Sequence, residues 1–123
     1  MNTREPDYMR LLVESLEILA ADPQVQIAFI DKPGLSADDL AEDHVAPAGN
    51  AKWMHAVGLI SLEVRVRAER IDELFTAMSG AANAERWTHL ALQTDPGWAE
   101  VRTLAREALA MLQPGAVGTE NVR

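Results

Sequence analysis

Between Tyr8 and Leu19 the apolar side chains Tyr8, Leu11, Leu12, Leu16 and Leu19 return at the spacing of one helical face, with Val13 and Ile18 widening the stripe and Glu14 and Glu17 marking a wet side. Recurrence every three to four residues is what a half-buried helix imposes, so the pattern predicts a helix from about Pro6 to Ala21. Asp22-Pro23 reads as a stop and a restart: aspartate caps the new helix, and proline fits its first position, where the missing N–H costs nothing. The stretch Gln24 to Ile30 alternates in a way that also suits a short strand, but the Asp-Pro start and the Lys32-Pro33-Gly34 stop favour a short helix. Ser36 and Asp39 form the ends of a capping box, which predicts a helix through Val45 anchored by Leu40. Ala46-Pro47-Ala48-Gly49-Asn50 is expected to break it, and Trp53, Met54 and Val57 to form a further apolar turn or two before Gly58.

From Ile60 to Ala68 apolar and polar residues alternate strictly, the pattern of an amphipathic strand. Two features oppose that reading. Glu63–Arg67 and Arg65–Glu69 are opposite charges four residues apart, as helices favour, and the pattern runs without a break into the helical spacing of Ile71, Leu74, Phe75 and Met78. A helix over Leu62 to Met78 is therefore expected, capped by Ser61 and ended at Ser79-Gly80. Asn83 is expected to cap another helix with Trp87, Leu90 and Ala91 on one face. Asp95-Pro96 repeats the restart signal, and Trp98, Val101, Leu104, Ala105, Ala108, Leu109 and Leu112 form the stripe of a final helix from Pro96 to Leu112. The pattern as a whole predicts an all-α fold, a small bundle of five or six helices. It forms a single helical domain over 1–113, followed by a disordered tail over 114–123, where no periodicity remains.

Composition sharpens this picture. Aromatic residues make up 5% of the 123 and hydrophobic residues 48%, a balance that suits packed helices better than a β-sandwich. The formal net charge is -8, from 19 acidic and 11 basic residues. Such a surface repels phosphate backbones and anionic bilayers, so neither nucleic acid nor membrane is expected as a partner. The absence of cysteine removes thiolate catalysis and Cys-ligated zinc. No secretory leader or spanning stretch is read in the sequence, and a cytoplasmic location is expected.

Candidate chemistry is sparse. Asp38, Asp39, Glu42 and Asp43 stand within six residues, beside His44. As i,i+4 neighbours Asp38–Glu42 and Asp39–Asp43 repel by a few tenths of a kcal/mol, partly offset by the helix dipole at an N-terminus. A start of a helix explains most of this cluster. A divalent cation would need further carboxylates converging from another helix, with Glu63, Glu69 or Glu73 as donors. His44, His55 and His89 lack the spacing of a helical zinc site and read as half-buried or solvent-facing. Ser36 and Ser61 are accounted for by capping, and no nucleophile–base–orienter set, cofactor motif or phosphate-cradling loop is found. Trp53, Trp87 and Trp98 read as core anchors, with a subunit interface as the alternative for one of them. Arg65, Arg67 and Arg70 are expected to pair with Glu63, Glu69 and Glu73.

The runs Gly58-Leu59-Ile60-Ser61, Ala77-Met78-Ser79-Gly80, Asn83-Ala84-Glu85-Arg86-Trp87-Thr88 and Thr94-Asp95-Pro96-Gly97-Trp98-Ala99-Glu100-Val101-Arg102, with Asp39-Leu40-Ala41-Glu42-Asp43 upstream, resemble a group of small bacterial helical proteins without a known activity. The resemblance implies an all-helical fold with helix starts at Ser61 and Pro96, and no particular chemistry.

These readings lean away from an enzyme. They favour a non-enzymatic acidic interaction protein, an immunity-type protein or adaptor, that meets a basic protein partner through Asp38, Asp39, Glu42 and Asp43. The alternatives are a small metal-dependent or ligand-binding enzyme built on the same carboxylates, and a homodimer or larger homo-oligomer that pairs apolar helix faces.

Overall fold

Ser61 decides the segment that alternation alone leaves between strand and helix. Its side chain accepts a hydrogen bond from the Val64 backbone N–H at 3.2 Å, and a helix runs from Leu62 to Met78. The computed structural model describes residues 7–112, so the expected tail over 114–123 lies outside the described residues. Among the described residues there are seven α-helices and no strand: α1 (Tyr8–Ala20), α2 (Pro23–Ile30), α3 (Ala37–Gly49), α4 (Ala51–Ala56), α5 (Leu62–Met78), α6 (His89–Thr94) and α7 (Pro96–Leu112). A 3-10 segment, Ala81–Trp87, joins α5 to α6. The fold is all-α.

The four long helices close a ring, α1 packing on α3 and α7, and α5 on the same two, while α2, α4 and α6 flank it. Each contributes a buried stripe at helical spacing: Leu12, Leu16 and Leu19 from α1, Leu40 from α3, Val64, Ala68, Ile71 and Phe75 from α5, and Trp98, Val101, Ala105 and Ala108 from α7. Burying a leucine-sized side chain stabilises by about 1.5–3 kcal/mol, so these stripes carry the fold. Small alanines on α5 and α7 let the two helices approach. Arg67 to Glu107 at 2.9 Å and Arg70 to Glu100 at 3.6 Å show that they run antiparallel.

Two local expectations need correction. Pro47 does not end α3, which continues through Gly49. Proline removes one late hydrogen bond, but Pro47 and Ala48 are buried, and Asn50 closes the end by donating to the carbonyls of Ala46 and Pro47 at 2.8 and 3.1 Å. Tertiary burial outweighs the local penalty. Nor does Asn83 cap a helix. It lies in the 3-10 segment, its side chain donating to the Ser79 carbonyl at 2.9 Å, and Thr88 caps α6 by accepting from Ala91 N–H at 3.1 Å. Leu90, expected on a buried face, is exposed.

The α5–α7 corner explains why Asp95, Gly97 and the two neighbouring tryptophans stand where they do. Asp95 receives the Arg86 guanidinium as a fork at 2.8 and 3.0 Å and accepts from Gly97 N–H at 2.7 Å, starting α7. The Arg86 guanidinium holds the Asp95 carboxyl below its ordinary range. Trp87 donates to the Met78 carbonyl at 2.8 Å and Trp98 to the Arg86 carbonyl at 2.7 Å. At Gly97 a Cβ would come within 2.7 Å of Met78 Sδ and 2.8 Å of Arg86 Nη2. Both atoms belong to side chains that have little freedom to move away, Met78 by burial and Arg86 by its fork to Asp95, so Gly97→Ala is expected to destabilise by about 1–3 kcal/mol, where the same change in an uncrowded helix would stabilise by about 1 kcal/mol. Urea unfolding of the two proteins checks the sign.

Candidate functional site

The acidic helix start is best built from the residues that orient it. Asp39 accepts from the Ser36 backbone N–H at 2.8 Å, so its carboxylate is engaged in starting α3. Ala37, Leu40, His44, Pro47 and Ala48 form the buried side of α3. That stripe turns the remaining acids to two different faces. Asp38 and Glu42 line a groove between α3 and α5 of about 620 Å³, whose opposite side carries Asp72 and whose floor includes Phe75 and Trp87. Asp43 faces the other way, into a smaller and more enclosed cleft of about 310 Å³ shared with Glu14, Ile18 and Phe29. Partial burial, with the charge of Asp39 second, raises its pKa. The four predicted residues thus divide into a cap, a pair on the groove, and one acid on the far side.

Most arginines of the described residues are engaged with other carboxylates. Arg10 pairs with Glu14, Arg65 with Glu69, Arg86 with Asp95 and Arg106 with Asp22. Of the expected strip on α5, Arg65–Glu69 and Arg70–Glu73 form, at 3.0 and 3.4 Å. Arg67 instead reaches across to Glu107, touching Glu63 only at its backbone carbonyl. Among the described residues no ion pair is made by Asp38, Glu42, Asp43 or Asp72, and no group of three or more His, Asp or Glu side chains is arranged to hold a metal ion.

The histidines separate. His89 is exposed beside Asp31, and His55 is half-buried near Arg65. His44, expected to be at least partly solvent-facing, is fully buried. Its Nε2 lies 3.0 Å from the Ala68 carbonyl and its Nδ1 2.9 Å from Ser15 Oγ. A carbonyl only accepts, so Nε2 carries the proton and Nδ1 receives the serine hydroxyl. This is a serine–histidine contact, but both residues are buried and the ring's far side is held by backbone. What the arrangement does is tie α1, α3 and α5 together. Burial lowers the His44 pKa, the Ala68 hydrogen bond and the charge of Asp72 acting the other way.

A second buried polar join escaped the sequence reading. Gln26 donates to the Ile18 and Leu19 carbonyls at 3.1 and 3.0 Å, and accepts from Arg102 at 3.1 Å, which also donates to the Leu92 carbonyl at 2.9 Å. The signal was present: Ser15, His44 and Arg102 each stand at a stripe position of an apolar face, where a polar residue is unusual unless paired. Of the tryptophans, Trp98 is fully buried and Trp87 partly so, while Trp53 is 51% exposed on α4 and anchors no core.

No protein-family model matches this chain, nor does any curated protein or solved structure. Among the described residues no helix is long and apolar enough to cross a membrane.

Proposed function

We propose that the protein is a non-enzymatic cytoplasmic interaction protein, of the adaptor or immunity type, which meets a basic protein partner through the acidic residues at the start of α3. The observation that supports this most directly is that, among the described residues, Asp38, Glu42 and Asp43 form no ion pair, while every arginine but Arg102 is paired with another carboxylate. Exposed carboxylates without partners extend a negative field into solvent, and such fields steer a basic surface toward contact.

Steering is felt in the association rate and is screened over roughly 8 Å at physiological salt. With the partner first recovered by capture on the wild-type protein, the triple variant Asp38→Asn, Glu42→Gln, Asp43→Asn should associate about tenfold more slowly at low salt, and its rate should depend less on ionic strength. Its unfolding free energy should stay the same or rise slightly as like-charge repulsion is relieved. Stopped-flow association across a salt series measures the effect. Equal rates at every salt concentration would reduce the cluster to a helix start.

A further inference from the structure

We propose that the α3–α5 groove receives a helix of the partner, one that presents two cationic side chains a single turn apart beside a bulky apolar side chain. The proposal rests on the reading of an acidic interaction protein and names the site and the shape of what fills it. The groove holds about 620 Å³ and lies open between the two helices. Asp38 and Glu42 stand one turn apart on its α3 side, at the i,i+4 spacing that matches cations one turn apart on a facing helix. Asp72 supplies a third carboxylate from α5, so the charge is brought together by two helices rather than by one run of sequence. Between these acids the lining mixes the apolar Ala41, Ala84 and Trp87 with the hydroxyls of Thr76 and Ser79. Phe75, 5% exposed, lies beneath the partly buried Trp87, and Val45, 59% exposed, adds apolar surface to the lining. Free cations such as polyamines would satisfy the carboxylates and leave that apolar surface wet.

The backbone decides between a helix and an extended segment. Both long walls are helices, whose interior N–H and C=O groups are engaged within the helix, so these walls offer no edge to which a strand could add. An extended segment would lay its own backbone groups against that surface unpaired, whereas a helix arrives with them satisfied. Carboxylates on both sides exclude an anionic ligand.

The test uses the full chain and a synthetic amphipathic helical peptide with arginines at i and i+4 and leucines at i+3 and i+7. Two double variants carry the same change in net charge: Asp38→Lys with Glu42→Lys on the groove, and Glu14→Lys with Asp43→Lys on the opposite side of α3. Circular dichroism verifies that both remain helical. The groove variant should bind the peptide more than about tenfold more weakly, equivalent to 1.4 kcal/mol, and the far-side variant less than about threefold more weakly. In amide-resolved NMR of the wild type, the Trp87 indole N–H and the Thr76 and Gly80 amides should shift. Equal weakening by the two doubles would overturn the groove while leaving an acidic-surface partner supported. Equal affinity for a serine-for-leucine peptide, or for spermidine, would overturn the helix as occupant. No binding of any cationic probe would overturn the groove and the acidic-partner reading together.

Discussion

Trp98→Ala is expected to lower the free energy of unfolding by about 3–5 kcal/mol, a large part of the roughly 5–15 kcal/mol that a small domain has. Trp98 is fully buried at the start of α7, with Phe75 at 5.3 Å and Trp87 edge-on at 5.4 Å between ring centroids. Truncation removes three things at once. It opens a cavity among α5, α7 and the 3-10 segment, it dismantles the aromatic cluster, and it leaves the Arg86 carbonyl without the indole N–H that lies 2.7 Å away. The third loss alone costs about 1–3 kcal/mol when the orphaned group stays buried. Urea unfolding should show a lower midpoint at an unchanged slope. Trp53→Ala serves as the control: with half of its surface in solvent, it should change stability by no more than about 0.5 kcal/mol. Similar losses for the two would overturn the assignment of Trp98 as the anchor of the core.

The second large effect concerns acid. His44 is held neutral by burial, so its pKa in the folded chain lies below the ordinary 6.5. As pH falls through 6.5 the unfolded chain takes up a proton that the folded chain resists. Stability is therefore full above that value and declines below it, by up to about 1.4 kcal/mol per pH unit, until the folded ring also titrates. The groups that face the ring are the Ser15 hydroxyl on α1 and the Ala68 carbonyl and Asp72 on α5, with the Phe75 edge packed against it. His44→Gln keeps a donor and an acceptor but cannot titrate. At pH 7.5 it should be less stable by about 1–3 kcal/mol through poorer hydrogen-bond geometry. Between pH 7 and pH 5 its stability should fall less steeply than that of the wild type. The Asp95 carboxyl, held low by Arg86, loses its contribution only once pH drops into the ordinary carboxylate range, below this window. Parallel pH profiles for the two proteins would show that the ring does not resist protonation.

Where local chemistry and burial agree, the fold is legible in the chain. The helices Leu62–Met78 and Pro96–Leu112 begin at Ser61 and at the Asp95-Pro96 pair because a capping side chain and an apolar stripe point to the same start. Where they disagree, local rules mislead. Pro47 would end an isolated helix, and Asn83 is as good a cap on paper as Thr88; the choice is made by what each residue touches after packing, which a one-dimensional pattern does not contain. The candidate site shows the same limit. That residues 38–43 are acidic is plain from the sequence, and their spacing even indicates that Asp38 and Glu42 share a face. That Asp43 is turned away from them, and that Asp72 joins them from thirty residues further on, depends on how α3 is rotated by Leu40 and His44 against its neighbours.

The corner made by Arg86, Trp87, Asp95 and Trp98 has a consequence for the cost of assembly. Its side-chain bonds join residues 9 to 12 positions apart in the chain, so bringing them together closes only short loops, at small entropic cost. The join of Arg102 to Gln26 spans 76 positions and that of Arg106 to Ala20 spans 86. The α5–α7 corner therefore needs less loop closure than the joins that bring α1 and α2 onto α7, and changes in it should be felt locally, among residues that are near neighbours in the chain.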